Sequence, residues 1–189
     1  MQRRSDSPGN PVHGIGIFGN LPFKESVLYY AGSPESIPES SQDAALQADP
    51  SNKALLCAEF AEPSPFFIIT THFTWSPRGE ATDEQRADMR AMLPLLQQQK
   101  EFVFCGDFNA PRGGEIWQML ASNYRDNIPP EYKTSLDLEL HRAGKTHPEQ
   151  LATKMVDGLF TTPGFVASNV RLQFGISDHA AIVATIARA

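Results

Sequence analysis

The chain has 189 residues, 41% hydrophobic and 20% charged, enough for one domain with a sizeable core. Its 16 Lys and Arg stand against 22 Asp and Glu, a formal net charge of -6. This balance disfavours avid, non-specific coating of nucleic acid, because Lys and Arg carry most of the affinity for a phosphate backbone. It leaves room for an enzyme in which a bound cation supplies positive charge locally.

Residues 1–13 are polar, and their two arginines are not followed by an apolar segment, so they read as a flexible tail and not as a secretory signal. No apolar stretch approaches the length of a membrane helix, and the expectation is a cytoplasmic chain. Residues 14–189 read as one domain. GIGIF (14–18) and VLYY (27–30) are expected as short strands joined by a turn at Leu21-Pro22. Residues 32–53 are rich in Ser, Pro, Glu and Asp without apolar periodicity, which predicts a long surface loop. ALLCAEF (54–60) and FFIITT (66–71) are continuous apolar runs and fit buried strands.

TDEQ (82–85) matches a capping box with Thr82 as N-cap and Gln85 at N3. Met89, Met92, Leu93 and Leu96 then place one apolar stripe on a helix, which Pro94 should kink or end. A strand is expected at 102–105, a short helix at 115–120, and strands again at 155–160, 166–172 and 180–186. Residues 121–153 are mixed and polar, with several turn signals. This is a mixed α/β order, not a regular βαβ repeat. Cys57 and Cys105 lie in apolar runs and read as buried free thiols.

Four places could carry chemistry. In FVFCGDFN (102–109) an apolar run stops at a carboxylate and a carboxamide two residues apart. In extended backbone Asp107 and Asn109 share one side while Phe108 packs inward, and Gly106 permits a close backbone approach. By itself the stretch also reads as an Asx-type turn. His72 ends the strand TTH; Asp157 lies within MVDGLF (155–160); Asp178 and His179 are adjacent before the last strand. A buried carboxylate needs a partner, and a carboxylate beside an imidazole fixes its tautomer and favours its charged form, so Asp157 is the expected partner of His179. Trp75, just past His72, can stack on a base or sugar or simply pack. Arg78, Arg112, Arg125 and Arg142 are candidate phosphate contacts or solvated surface.

Taken together, TTHF (70–73), FVFCGDFNAP (102–111), MVDGLF (155–160) and GISDHAAIVATI (175–186) resemble the endonuclease/exonuclease/phosphatase family, in that family's order. The resemblance covers roughly residues 12–187. It implies a DNase I-like four-layer α/β (α+β) sandwich of two mixed sheets flanked by helices. It implies a phosphoesterase, nuclease-like in acting on a phosphodiester, with Mg²⁺ or Mn²⁺ as cofactor and a phosphoester, including nucleic acid, as partner. By resemblance Asp107 activates the attacking water, Asn109 contacts the phosphate, and His179 stabilises its charge with Asp157 orienting it. His72 is similar to a histidine near the leaving group, and Asp178 and Asp107 would hold the metal. The family's upstream half, with a glutamate as principal metal ligand, is not found, so the apparent N-terminal strands are expected to be missing. A second copy or a partner chain completing the sheets, or a catalytically silent binding module, are the corresponding expectations.

Overall fold

A computed structural model describes residues 14–32, 52–61 and 65–189. The predicted tail and most of the predicted 32–53 loop lie outside the described residues. The chain runs β1 (Lys24–Ala31), β2 (Lys53–Phe60), β3 (Phe66–His72), α1 (Asp83–Gln97), β4 (Phe102–Asp107), α2 (Glu115–Ala121), β5 (Arg125–Asp126), α3 (Pro148–Leu151), β6 (Asp157–Thr161), β7 (Phe165–Gln173) and β8 (Ala181–Arg188). Six strands form one mixed sheet in the order β1-β2-β3-β4-β6-β5, and β7 and β8 form a second, antiparallel one. Among the described residues of the large sheet only β3 and β4 pair in parallel, and α1 is the crossover that a parallel connection needs.

The continuous apolar runs are explained by burial on both faces of the large sheet. Phe102 and Phe104 face the helices, in a cluster with Met89, Met92 and Leu96 of α1 and Ile116, Trp117 and Leu120 of α2. Val103 and Leu159 face the other way, against Phe165 and Leu172 of β7, with Cys105, Ile182 and Ile186 packed alongside. Both cysteines are free. Cys57 belongs to the helix-side cluster and Cys105 to the other, which keeps the thiols apart.

Three expectations change. Residues 14–18 form no strand; Phe18 is 95% exposed, and alternating apolar residues do not make a strand without a partner edge to bond. Of the two outcomes expected at Pro94, ending the helix does not occur: α1 continues to Gln97, because Met92 and Leu96 are fully buried and packing outweighs the lost bond to the Arg90 carbonyl. The capping box is only half formed. Thr82 Oγ1 accepts from Gln85 N at 3.2 Å, but the buried Gln85 side chain donates to the carbonyls of Thr74 (2.7 Å) and Asn109 (3.3 Å). It therefore ties the helix to the loops after β3 and β4. Among the described residues no helix is long and apolar enough to cross a membrane.

Candidate active site

Register places the site. On the large sheet His72 pairs with Asp107, and Asp107 pairs with Asp157, so three neighbouring strands present a row of polar residues at one edge. The parallel β3 and β4 both end there, and the antiparallel β6 begins there. Close approach is built in at Gly106, where a Cβ would fall 2.2 Å from the Thr71 carbonyl oxygen. A Cβ at Gly158 would lie 2.7 Å from the Phe108 ring. That opening admits Phe108, which is fully buried edge-on to Phe104, Trp117 and Phe160 at centroid distances of 5.1, 5.9 and 5.4 Å. Burying such a ring is worth roughly 2–3 kcal/mol, so Phe108 anchors the polar residues on either side of it.

Asp107 and Asn109 are thereby held in a defined turn. Asp107 Oδ1 accepts the Asn109 N–H at 2.8 Å, and Asn109 adopts φ 49°. Asn109 Nδ2 donates to the Phe73 carbonyl at 2.7 Å. An amide nitrogen carries two hydrogens, so one remains for a ligand. The Asx-type turn is thus formed, and it leaves both side chains at the polar sheet edge beside Asp157.

The second sheet brings His179. Its Nδ1–H donates to Asp157 Oδ2 at 2.7 Å, and one oxygen each of Asp107 and Asp157 lies with a His179 ring nitrogen inside a 4.8 Å group. The Asp157 hydrogen bond and charge raise the His179 pKa from 6.5 to about 9, overcoming burial. Burial, then repulsion by Asp157, raises Asp107 to about 6. His72 Nε2 stands 3.6 Å from Asp107 Oδ2 on the more exposed side. Asp178 is exposed, and its carboxylate does not join the group of three, although its charge acts on both Asp107 and His179.

No protein-family model matches the chain, and no curated protein does. Solved structures do. The endonuclease/exonuclease/phosphatase from Bacteroides vulgatus matches over 88% of this chain and 65% of its own, with TM-score 0.59 and 17% identity. The mannosyl-6-phosphatase of Bacteroides thetaiotaomicron VPI-5482 matches over 87% and 66%, with TM-score 0.57 and 10% identity. The catalytic domain of human Nocturnin with bound sulfate matches over 88% and 73%, with TM-score 0.51 and 18% identity. The chain has the endonuclease/exonuclease/phosphatase fold. At these identities the likeness concerns the fold, and this chain spans about two thirds of the length of the two Bacteroides structures.

Within that fold, part of the support comes from residues the sequence did not single out. Ser135 is fully buried, and its Oγ accepts the backbone N–H groups of Val156 and Asp157, both at 3.1 Å. Its carbonyl takes the Ala180 N–H at 2.7 Å, and Leu136 bridges His179. Ser135 thus fixes the spacing of Asp157 and His179. Ser135→Ala should destabilise the protein by about 2 kcal/mol in urea unfolding, since each buried unpaired donor costs roughly 1–3 kcal/mol. A change below about 0.5 kcal/mol would mean that those N–H groups find other partners. Arg112, a candidate phosphate contact, instead pairs with Asp126 Oδ2 at 2.8 Å and the Pro129 carbonyl at 3.1 Å. Its guanidinium is engaged in holding the β5 region. Trp75 is 56% exposed beyond His72.

Proposed function

We propose that this chain is a divalent-metal-dependent phosphoesterase that hydrolyses a phosphodiester by in-line attack of water. The observation that carries this is the convergence of Asp107, Asp157 and His179 within 4.8 Å on a scaffold shared with nuclease and phosphatase structures. Asp107 accepts the proton of the attacking water. With a pKa raised to about 6 it is a stronger base than an ordinary carboxylate, yet is ionised at neutral pH. His179, protonated below about pH 9, presents its remaining N–H, at Nε2, to the charge that develops on the phosphoryl oxygens. Asp157 orients the ring and keeps it charged. Asn109 has an amide hydrogen for a phosphate oxygen, and His72 lies on the open side, where a leaving group departs.

The donor set fits a hard, hydrated cation. Asp107 is a largely buried carboxylate destabilised by a second one, and a cation at its Oδ2 would relieve both effects. Asp107 would hold Mg²⁺ or Mn²⁺ largely through water, with Asp178 contributing from the exposed side. The bound ion supplies Lewis-acid polarisation of the phosphoryl group. Asp157 and the His179 nitrogen facing it satisfy each other and are not ligands in this reading.

The test is hydrolysis of bis(4-nitrophenyl) phosphate and 4-nitrophenyl phosphate with Mg²⁺ or Mn²⁺. Turnover of the diester that chelation abolishes and added metal restores is expected. A chain that unfolds cooperatively yet cleaves neither ester with any divalent ion would overturn the proposal.

A further inference from the structure

The polar segment 133–147 carries a histidine that the site just described does not use. We infer that His141 is a substrate-contacting residue, donating a hydrogen bond from Nε2 to an oxygen of the phosphoester held beside His179. This rests on the phosphoesterase reading.

Position comes first. The His141 ring lies beside that of His179, with centroids 6.4 Å apart and planes at 50°. It is carried on a turn that is built rather than draped. Asp137 Oδ1 accepts the N–H groups of Glu139 and Leu140 at 3.0 and 3.2 Å, and the Asp137 carbonyl accepts the His141 N–H at 2.7 Å. The other carboxylate oxygen of Asp137 takes the Gly175 N–H at 2.7 Å, and the Asp137 N–H donates to the Asp178 carbonyl at 2.9 Å. Asp137 is 5% exposed. One buried carboxylate thus clamps the His141 turn onto the loop that delivers His179. Such a clamp restricts where His141 can sit relative to the site.

Protonation comes second. His141 Nδ1 accepts the Ala143 N–H at 3.1 Å. A nitrogen that accepts carries no proton, so the neutral ring is protonated at Nε2. That N–H has no partner among the described residues. The ring is half-buried, and among the described residues no carboxylate is hydrogen-bonded to it. Beside a cationic His179, a neutral donor adds contact to a phosphate oxygen without a second positive charge. Packing against His179 needs only a flat ring, which a phenylalanine would provide as well; the free donor is what the packing role leaves unused.

The variants separate these roles. His141→Phe keeps the ring contact and removes the donor; His141→Gln removes the ring and keeps an N–H near the Nε2 position. Two readouts are needed: KM and kcat for bis(4-nitrophenyl) phosphate with Mg²⁺, and binding of inorganic phosphate followed by calorimetry, which does not depend on turnover. A hydrogen bond to a charged group corresponds to roughly tenfold or more in affinity, so His141→Phe should raise KM and weaken phosphate binding about tenfold, with kcat changed less. His141→Gln should stay within about threefold of the unmodified protein. Unchanged phosphate binding and KM in His141→Phe, equal losses in both variants, or no phosphate binding by the unmodified protein would each overturn the inference. Phosphate binding that depends on His141 in a chain that hydrolyses nothing would uphold the contact and sink only the catalytic reading.

Discussion

Replacing Asp107 with asparagine is expected to lower kcat on a phosphodiester by about a thousandfold while leaving the protein at least as stable as before. The two halves of this expectation have one cause. The Asp107 carboxylate is largely buried, faces Asp157, and has its pKa raised from 3.8 to about 6. A raised carboxylate pKa in the folded state means that the unfolded chain ionises first. Stability therefore falls as pH rises from about 4 to about 6, and above that range the full penalty is present. Asparagine keeps an oxygen to accept the Asn109 N–H and removes the charge. The variant should gain up to about 3 kcal/mol at pH 8 and much less at pH 4, measured by urea unfolding at both values. Loss of activity with gain of stability is the mark of a group kept for chemistry at the expense of folding. Retained turnover, or equal stability losses at both pH values, would make Asp107 a structural residue and remove the proposed base.

The division between what the sequence disclosed and what it hid follows the chemistry of the two kinds of segment. Asp107, Asp157 and His179 stand at the margins of apolar strands, where a polar residue is conspicuous, and pairing register alone brings the first two together. The pairing of Asp157 with His179 was legible because a carboxylate within an apolar strand demands a partner. Ser135, Asp137 and His141 lie in a segment whose turn signals say only that the chain bends. The Ser135 hydroxyl meets N–H groups 21 and 22 residues away and one Asp137 oxygen meets Gly175, 38 residues away, and nothing local announces which distant backbone N–H a serine or aspartate will meet. Gln85 shows the opposite case: the local motif reads as a capping box, and carbonyls outside the helix take the side chain instead. Residues 14–18 had strand-like alternation, but a strand is defined by its neighbour, and the large sheet closes on β1 without them. The helix- and sheet-forming patterns were thus readable wherever burial dictated them, and unreadable wherever a distant polar partner did.

Replacing Asp157 with asparagine tests the electrostatic half of the site and should move the alkaline limit of activity. In the intact site the Asp157 hydrogen bond and charge hold His179 protonated up to about pH 9. Asparagine gives Nδ1 a neutral partner, so the His179 pKa should return toward its ordinary value of about 6.5. At pH 8 the ring is then mostly neutral and its Nε2 no longer presents a cationic donor, and kcat should drop about thirtyfold, the ratio of the protonated fractions; at pH 6 the loss should be much smaller. The stability profile carries the same signature with a definite sign. A histidine pKa raised by folding stabilises fully below about 6.5 and loses that contribution as pH climbs through about 9. The unmodified protein should therefore lose up to about 2–3 kcal/mol across this window, a figure reduced by the partial exposure of the ring, while Asp157→Asn should be nearly flat. The acid limb gives a check on the metal. It should lie near pH 6, where Asp107 titrates, and move lower as Mg²⁺ is raised, because a cation at that carboxylate favours its ionised form. Proton NMR titration of the His179 ring, run beside the pH–rate profile, decides the matter. An alkaline limb that stays near 9 in Asp157→Asn would mean that another group sets it, and that the Asp157–His179 pair orients the strands without powering the reaction.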